Sequence, residues 1–256
     1  WMKGLGIAAL GTVMAQGVLG GLTVLFMLPT PISVSHATIA QAFFSIIVSI
    51  ALFTSPWWTK EHPKYYEQTK HISLRHLSIA MTVGVFVQLI LGALMRHTQS
   101  GLVVPDFPLA YGQFFPSLSS ESLQRYNEQL IYSDIRVAAD GVVTSTQIII
   151  HMLHRFWAVV VSVQIIWTAL RLLKLSVVSK RFRILGVVLL IIVTAQITLG
   201  SLTVLSQKAI DITTAHVATG ALLLAVSVLT LLHVRKLIAS PSRTATVSFS
   251  AQEVPA

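Results

Sequence analysis

Apolar residues along this chain come in six long blocks, separated by short polar clusters and one long connection. Residues 4–26, 37–57, 77–95, 184–205 and 212–232 carry no formal charge. A sixth block, 147–170, is apolar except where "HMLHR" interrupts it at 151–155. At 1.5 Å of rise per residue, each block is long enough as a helix to cross a hydrocarbon core of about 30 Å. The pattern predicts transmembrane helices at 4–26, 36–57, 75–96, 147–170, 184–206 and 212–233 in an all-α integral membrane protein. The connection 98–146 is different. "SGLVVPDFPLAYGQFFP" (100–116) has no strand or helix period and reads as an ordered loop on the membrane face. "SSESLQRYNEQLIY" (119–132) places Leu123, Tyr126 and Leu130 at helical spacing behind a capping serine, which predicts an interfacial helix. A connection of this length over a shallow site is able to lid it and exclude water.

The blocks are not independent. "VMAQGVLGGLTVL" (13–25) and "VTAQITLGSLTVL" (193–205) agree at nine of thirteen positions, at an offset of 180. The same offset pairs Leu5-Gly6 with Leu185-Gly186 and His36 with His216. A shorter echo, Gln-x-x-Leu-Gly-x-Leu, lies at 88–94. Both copies run in one direction, which implies two bundles related by an axis along the membrane normal. The second copy has four predicted spans and the first has two. The six helices are therefore expected to be part of an eight-helix tandem repeat of two four-helix bundles, with a further hairpin expected before Trp1. On this reading residues 1–60 are the second hairpin of the N-terminal half and 61–74 a cytoplasmic linker. Residues 75–236 are the C-terminal four-helix half with its outer loop, and 237–256 a cytoplasmic tail without ordered structure. Gly20, Gly92 and Gly200 fall late in their helices, where small residues let helices approach closely.

Composition sharpens this picture. The 256 residues are 54% hydrophobic and 11% charged, too apolar for an ordinary soluble domain. The net charge of +9 would suit a nucleic-acid partner, but its distribution does not. Thirteen of the eighteen Lys and Arg lie before the first span or after the second, fourth and sixth, while six acids lie in the other loops. That is the positive-inside pattern, with both termini cytoplasmic and the loops 27–35, 96–146 and 206–211 outside. There is no cysteine, which excludes disulfides, thiolate metal sites and iron–sulfur clusters.

An ionisable residue inside a span is a functional candidate by default. His216 is expected about one turn inside the outer end of its helix and His154 about two turns inside its own. His36 matches His216 across the repeat. All three then lie within roughly 10 Å of the outer surface. Two helices can each present a neutral imidazole to a flat metal macrocycle between them, as bis-histidine heme ligation requires. A hydrogen-bonded interface histidine is the plainer alternative for any one of them. His151 is three residues from His154, about 60° round the helix, so geometry alone does not choose between the two. Arg155 could snorkel to water or hold a propionate carboxylate, and Arg96 and His97 invite the same two readings. His62, His71, His76 and His233 lie at the inner side and read as loop or interface residues.

Taken together, "GALMRHTQSGLVVPDFPLAYGQFFP", "HMLHRF" and the two Gln-x-x-Leu-Gly-x-Leu-Thr-Val-Leu repeats, each followed by a histidine, resemble the heme A synthase family. The resemblance covers nearly all of residues 1–236. It implies a membrane oxidoreductase that oxidises the C8 methyl of heme O to the formyl group of heme A for cytochrome oxidase biogenesis, in the bacterial inner membrane. It also implies heme b as cofactor, held by the iron ligands His154 and His216 with Arg155 and His151 beside them. His36 becomes the second iron-ligating histidine of the substrate-heme half. His151 stands where the corresponding first-half motif, Glu-x-x-His-Arg in many members, has a glutamate with a catalytic role. That acidic residue would lie in the further hairpin, so no catalytic residue is assigned here, and this chain alone is expected not to make heme A. The outer-loop cysteines of some members are missing. Implied partners are heme O, heme A and membrane lipid, and no nucleic acid. Heme O synthase, cytochrome oxidase assembly factors and a second copy of the chain remain open. Two other readings compete: a heme b electron-transfer subunit without substrate chemistry, and a parallel-repeat transporter.

Overall fold

The computed structural model describes residues 1–62, 65, 72–135, 137, 142–175 and 179–238. Six helices in it are long and apolar enough to cross a membrane: α1 (Met2–Leu25), α2 (Thr30–Phe53), α4 (Leu74–His97), α6 (Ser145–Lys174), α7 (Lys180–Leu205) and α8 (Ile210–Leu237). A single turn, α3 (Pro56–Thr59), follows α2, and α5 (Ser120–Tyr132) lies in the long connection. No strand occurs among the described residues, only isolated bridges such as Tyr65 with Ile238. The protein is an all-helical integral membrane protein, as its periodicity predicts.

Helix ends depart from the predicted ones for identifiable reasons. The predicted span 36–57 runs instead from Thr30 to Phe53. Pro31 sits in its first turn, where a missing N–H costs nothing, and Ser55–Pro56 ends it by capping α3. α6, α7 and α8 extend past their charge-free blocks to take in Lys174, Lys180, Arg235 and Lys236. A helix can continue through charged residues once they reach the interface, so absence of charge marks the apolar part of a span rather than its ends. Ser73, Ser119 and Thr144 cap α4, α5 and α6, the last as a reciprocal capping box with Gln147. The tail from 239 onward lies outside the described residues, as do His71 and most of the linker.

α4, α6, α7 and α8 close a four-helix ring, each packed on two neighbours, so that α6 faces α8 and α4 faces α7 across the diagonals. α2 packs on α4 and α8, and α1 packs on α2. The ring is dense at one end only. Buried residues of α4 stop at Val85, those of α7 stop at Val193, and those of α8 begin at Gly220. On α6 none lies between His151 and Val161. The core built by Leu74, Met81, Ile165, Leu172, Phe182, Leu189 and Leu224 therefore fills the end away from the long connection. At that dense end Trp57 of α3 stacks on His233 of α8 at 4.3 Å, lies 4.7 Å from His62, and takes Arg181 of α7 over its face at 4.6 Å. His62 and His233 are interface residues, as the sequence suggests.

The other end is covered by the connection between α4 and α6. Just after its 3-10 turn (Ser100–Leu102), Val103, Val104 and Ala110 pack with Tyr126 and Leu130 of α5 and Ile148 of α6 into a second buried cluster. The two short hairpin turns carry the repeat into the backbone. Met27 and Leu28 are left-handed, and so are Gln207 and Lys208, 180 residues on. In both turns the second residue's N–H returns to a helix carbonyl, Leu28 to Thr23 at 2.7 Å and Lys208 to Thr203 at 2.8 Å.

Candidate functional site

His154 projects from α6 and His216 from α8, the two helices that face each other across the ring. His154 is nine residues into α6, and His216 and His36 are each six residues into α8 and α2. All three sit deeper than the charge-free blocks suggest, because the helices begin earlier. His154 and His216 lie in the lid-ward half of the ring, where full burial of the helices has stopped.

Each imidazole rests on a glycine of the next helix. A Cβ built on Gly20 would lie 3.3 Å from His36 Cε1, one on Gly92 3.3 Å from His154 Cε1, and one on Gly200 3.0 Å from His216 Cε1. One turn before each glycine stands a glutamine. Gln16 Nε2 donates to the His36 carbonyl at 2.8 Å, and Gln88 Nε2 to that of His154 at 3.2 Å, within 3.2 Å of both its ring nitrogens. The recurring spacing Gln-x-x-x-Gly thus places a glycine beneath a histidine of the adjacent helix three times, and in two of them the glutamine also donates to that histidine's carbonyl. Sequence reasoning gave these glycines a general packing role; their alignment with the histidine repeat was the signal that they pack on imidazoles.

His151 is not at this level. It is buried, and its Nδ1 meets the Ser100 carbonyl of the lid at 2.7 Å. Arg155 has a use that neither sequence reading included. Its guanidinium donates to three lid carbonyls, Leu109 at 2.9 Å, Val104 at 3.1 Å and Asp106 at 2.7 Å, and lies 5.7 Å from the Phe107 ring centroid. The Asp106 carboxylate accepts from the Tyr111 and Gly112 amides, and the Tyr111 hydroxyl donates to Val103. The Tyr111 ring stacks on Tyr126 at 3.7 Å, and burial, with Asp106 nearby, pushes the phenol up from its ordinary range. Residues one turn apart on α6 thus divide the work: His154 faces the ring while His151 and Arg155 fasten the lid above it.

These residues fit a flat macrocycle bearing a metal between two imidazoles. The donors are two neutral histidines on diagonal helices, and the glycines clear room for their rings. Among the described residues His36 Nδ1 is buried with no hydrogen-bond partner, a condition that costs about 1–3 kcal/mol when nothing compensates it. No group of three His, Cys, Asp or Glu occurs among the described residues, so a bare-ion site of that kind does not compete. Histidines on diagonal helices beneath a covering loop, inside a repeated helical ring, define the class as a polytopic membrane protein with imidazoles set within its helical bundle. The comparisons narrow this class. The COX15-CtaA family model, described as cytochrome oxidase assembly protein, matches residues 1–228, and the chain belongs to that family. It is also similar to the heme A synthase of Sphingopyxis alaskensis, at 29% identity over 153 residues. That similarity covers 59% of this chain and 37% of the relative, so the matched part spans little more than a third of the relative's length.

Proposed function

We propose that the protein carrying this chain is a heme A synthase, oxidising the C8 methyl of heme O to a formyl group, with heme b held between His154 and His216. The carrying observation is that these two histidines stand on helices that face each other across the sparsely buried half of the four-helix ring, each imidazole backed by a glycine. Heme ligated by two imidazoles supplies one-electron transfer. The protein's own part is positional. Gly92 and Gly200 set the ring planes, Gln88 steadies His154, and His151 and Arg155 pin the lid that keeps water off. His36, seated on Gly20 with Nδ1 unpartnered, is the histidine of the substrate-heme half. The positive-inside distribution supports a lid on the outer face of a bacterial inner membrane, with heme O arriving from the lipid. Heme O synthase and oxidase assembly factors would be its neighbours in such a sequence of reactions.

Heme b added to the detergent-purified chain is expected to give a low-spin, six-coordinate spectrum that His216→Ala abolishes and His62→Ala leaves intact. An unchanged spectrum in His216→Ala would remove the ligand assignment. Heme O incubated with the protein, followed by chromatographic separation of hemes, tests the reaction. Heme binding with no conversion in the full-length protein would favour an electron-transfer subunit.

A further inference from the structure

Two cations at the lid end have no anionic partner among the described residues. Lys208 lies in the left-handed turn between α7 and α8 and reaches over the 3-10 turn of the lid. Its Cε and Nζ come within 2.7 and 3.1 Å of where a Cβ on Gly101 would be. Burial and Arg96 hold its ammonium below the ordinary lysine range. Neither Lys208 nor the exposed Arg96, at the end of α4, has a hydrogen-bond or ion-pair partner among the described residues. Arg155, the cation singled out by sequence, is meanwhile engaged by carbonyls. A cation held partly out of water raises the energy of the protein unless an anion joins it. Asp211, exposed in the first turn of α8, does not pair with them.

The repeat sharpens the point. Residue 28 occupies the same turn, with the same left-handed backbone, and it is leucine. The turn geometry therefore does not require a lysine, and the cation is particular to the C-terminal half. Lys208 lies two residues before α8, and His216 is six residues into that helix, about 9 Å along its axis from the lid end. An anion carried on the edge of a macrocycle seated at His216 would be directed at it.

We propose that Lys208, with Arg96, binds the propionate carboxylates of the heme held in the C-terminal half, and that leucine at position 28 leaves the N-terminal half without this anchor. The two halves would then differ in retention: one keeps its heme as a resident cofactor, the other releases its heme as product. This rests on the heme reading above.

The test compares heme b with its dimethyl ester, whose carboxylates are blocked, on the full chain and on Lys208→Met and Lys208→Arg. Methionine keeps an apolar stem against Gly101 and removes the charge. The expected result is about tenfold faster heme loss from Lys208→Met, in line with one lost charge-assisted contact, restored by Lys208→Arg. The reduction potential of Lys208→Met should also fall. The ester should dissociate from parent and Lys208→Met at the same rate. Equal loss of heme b from parent and Lys208→Met overturns the proposal while leaving the heme site standing, and so does a Lys208→Met defect that persists with the ester. A parent chain that binds neither compound refutes the heme reading, and the anchor with it.

Discussion

Gly200→Ala isolates the seat of one histidine from everything else at the site. The new methyl would stand 3.0 Å from His216 Cε1 and 3.6 Å from both ring nitrogens, against the 3.4–4 Å of ordinary contact. The imidazole must therefore retreat by a few tenths of an ångström, and it is tied to α8 rather than to a flexible stem. Overpacking of this kind costs about 1–3 kcal/mol. Replacing a helical glycine by alanine returns about 1 kcal/mol, so the net stability change should lie between zero and about 2 kcal/mol. Heme binding should suffer more than folding, because the displaced ring no longer faces His154 squarely. A tenfold loss of affinity corresponds to about 1.4 kcal/mol, which is the scale expected. Gly11→Ala is the control, since a Cβ there meets nothing within 4 Å; it should raise the thermal midpoint slightly and leave binding unchanged. Heme titration by absorbance and a thermal melt of each variant measure the two quantities. If Gly200→Ala binds heme as tightly as Gly11→Ala, the glycine is not a seat for the ligand and the positional argument fails.

Arg155→Met removes donors from three lid carbonyls, and about 3 kcal/mol of lid attachment should go with them; limited proteolysis should then cut between residues 103 and 118 much faster than in the parent, and equal rates would refute the fastening role. Tyr111 supplies a pH dependence. Its folded-state value is raised, so the neutral phenol is favoured by the fold. That contribution is complete below the unfolded tyrosine value of about 10 and is lost as pH rises above it. Lid protection against protease should weaken above about pH 10 in the parent, and Tyr111→Phe should remove that dependence. Cysteines placed at Ser117 and Thr59, both exposed, should label from opposite faces of sealed vesicles; labelling of both from one side would reject the proposed orientation.

How much could be read from sequence follows from which interactions are local. Hydrocarbon thickness fixes span length, so all six helices were legible, and the interfacial α5 followed from three residues at helical spacing. The ends were less legible, because Lys174 and Lys236 continue helices that a charge-free criterion cuts short. The pairing of His154 with His216 was suggested by depth and repeat symmetry, while the ring order that puts α6 opposite α8 is a tertiary fact. His151 shows the same limit. Its spacing from His154 left both facing the site, and only the position of the Ser100 carbonyl, 51 residues away, assigns it to the lid. Lys208 was invisible as a candidate because a lysine in a short loop is unremarkable until Gly101 and Arg96 are seen beside it.

The unequal filling of the four-helix ring bears on the order in which the protein is made. The end holding Phe182, Leu172 and Leu224 is closed by the chain's own side chains, so its folding needs no other molecule. On that packing, newly inserted protein should already resist protease at this end before any group is bound. On the proposed reading, loading of the prosthetic group becomes a late step of maturation, admitted at the lid end while the helices keep their places. Supply of that group would then govern how much protein is active, not how much of it survives.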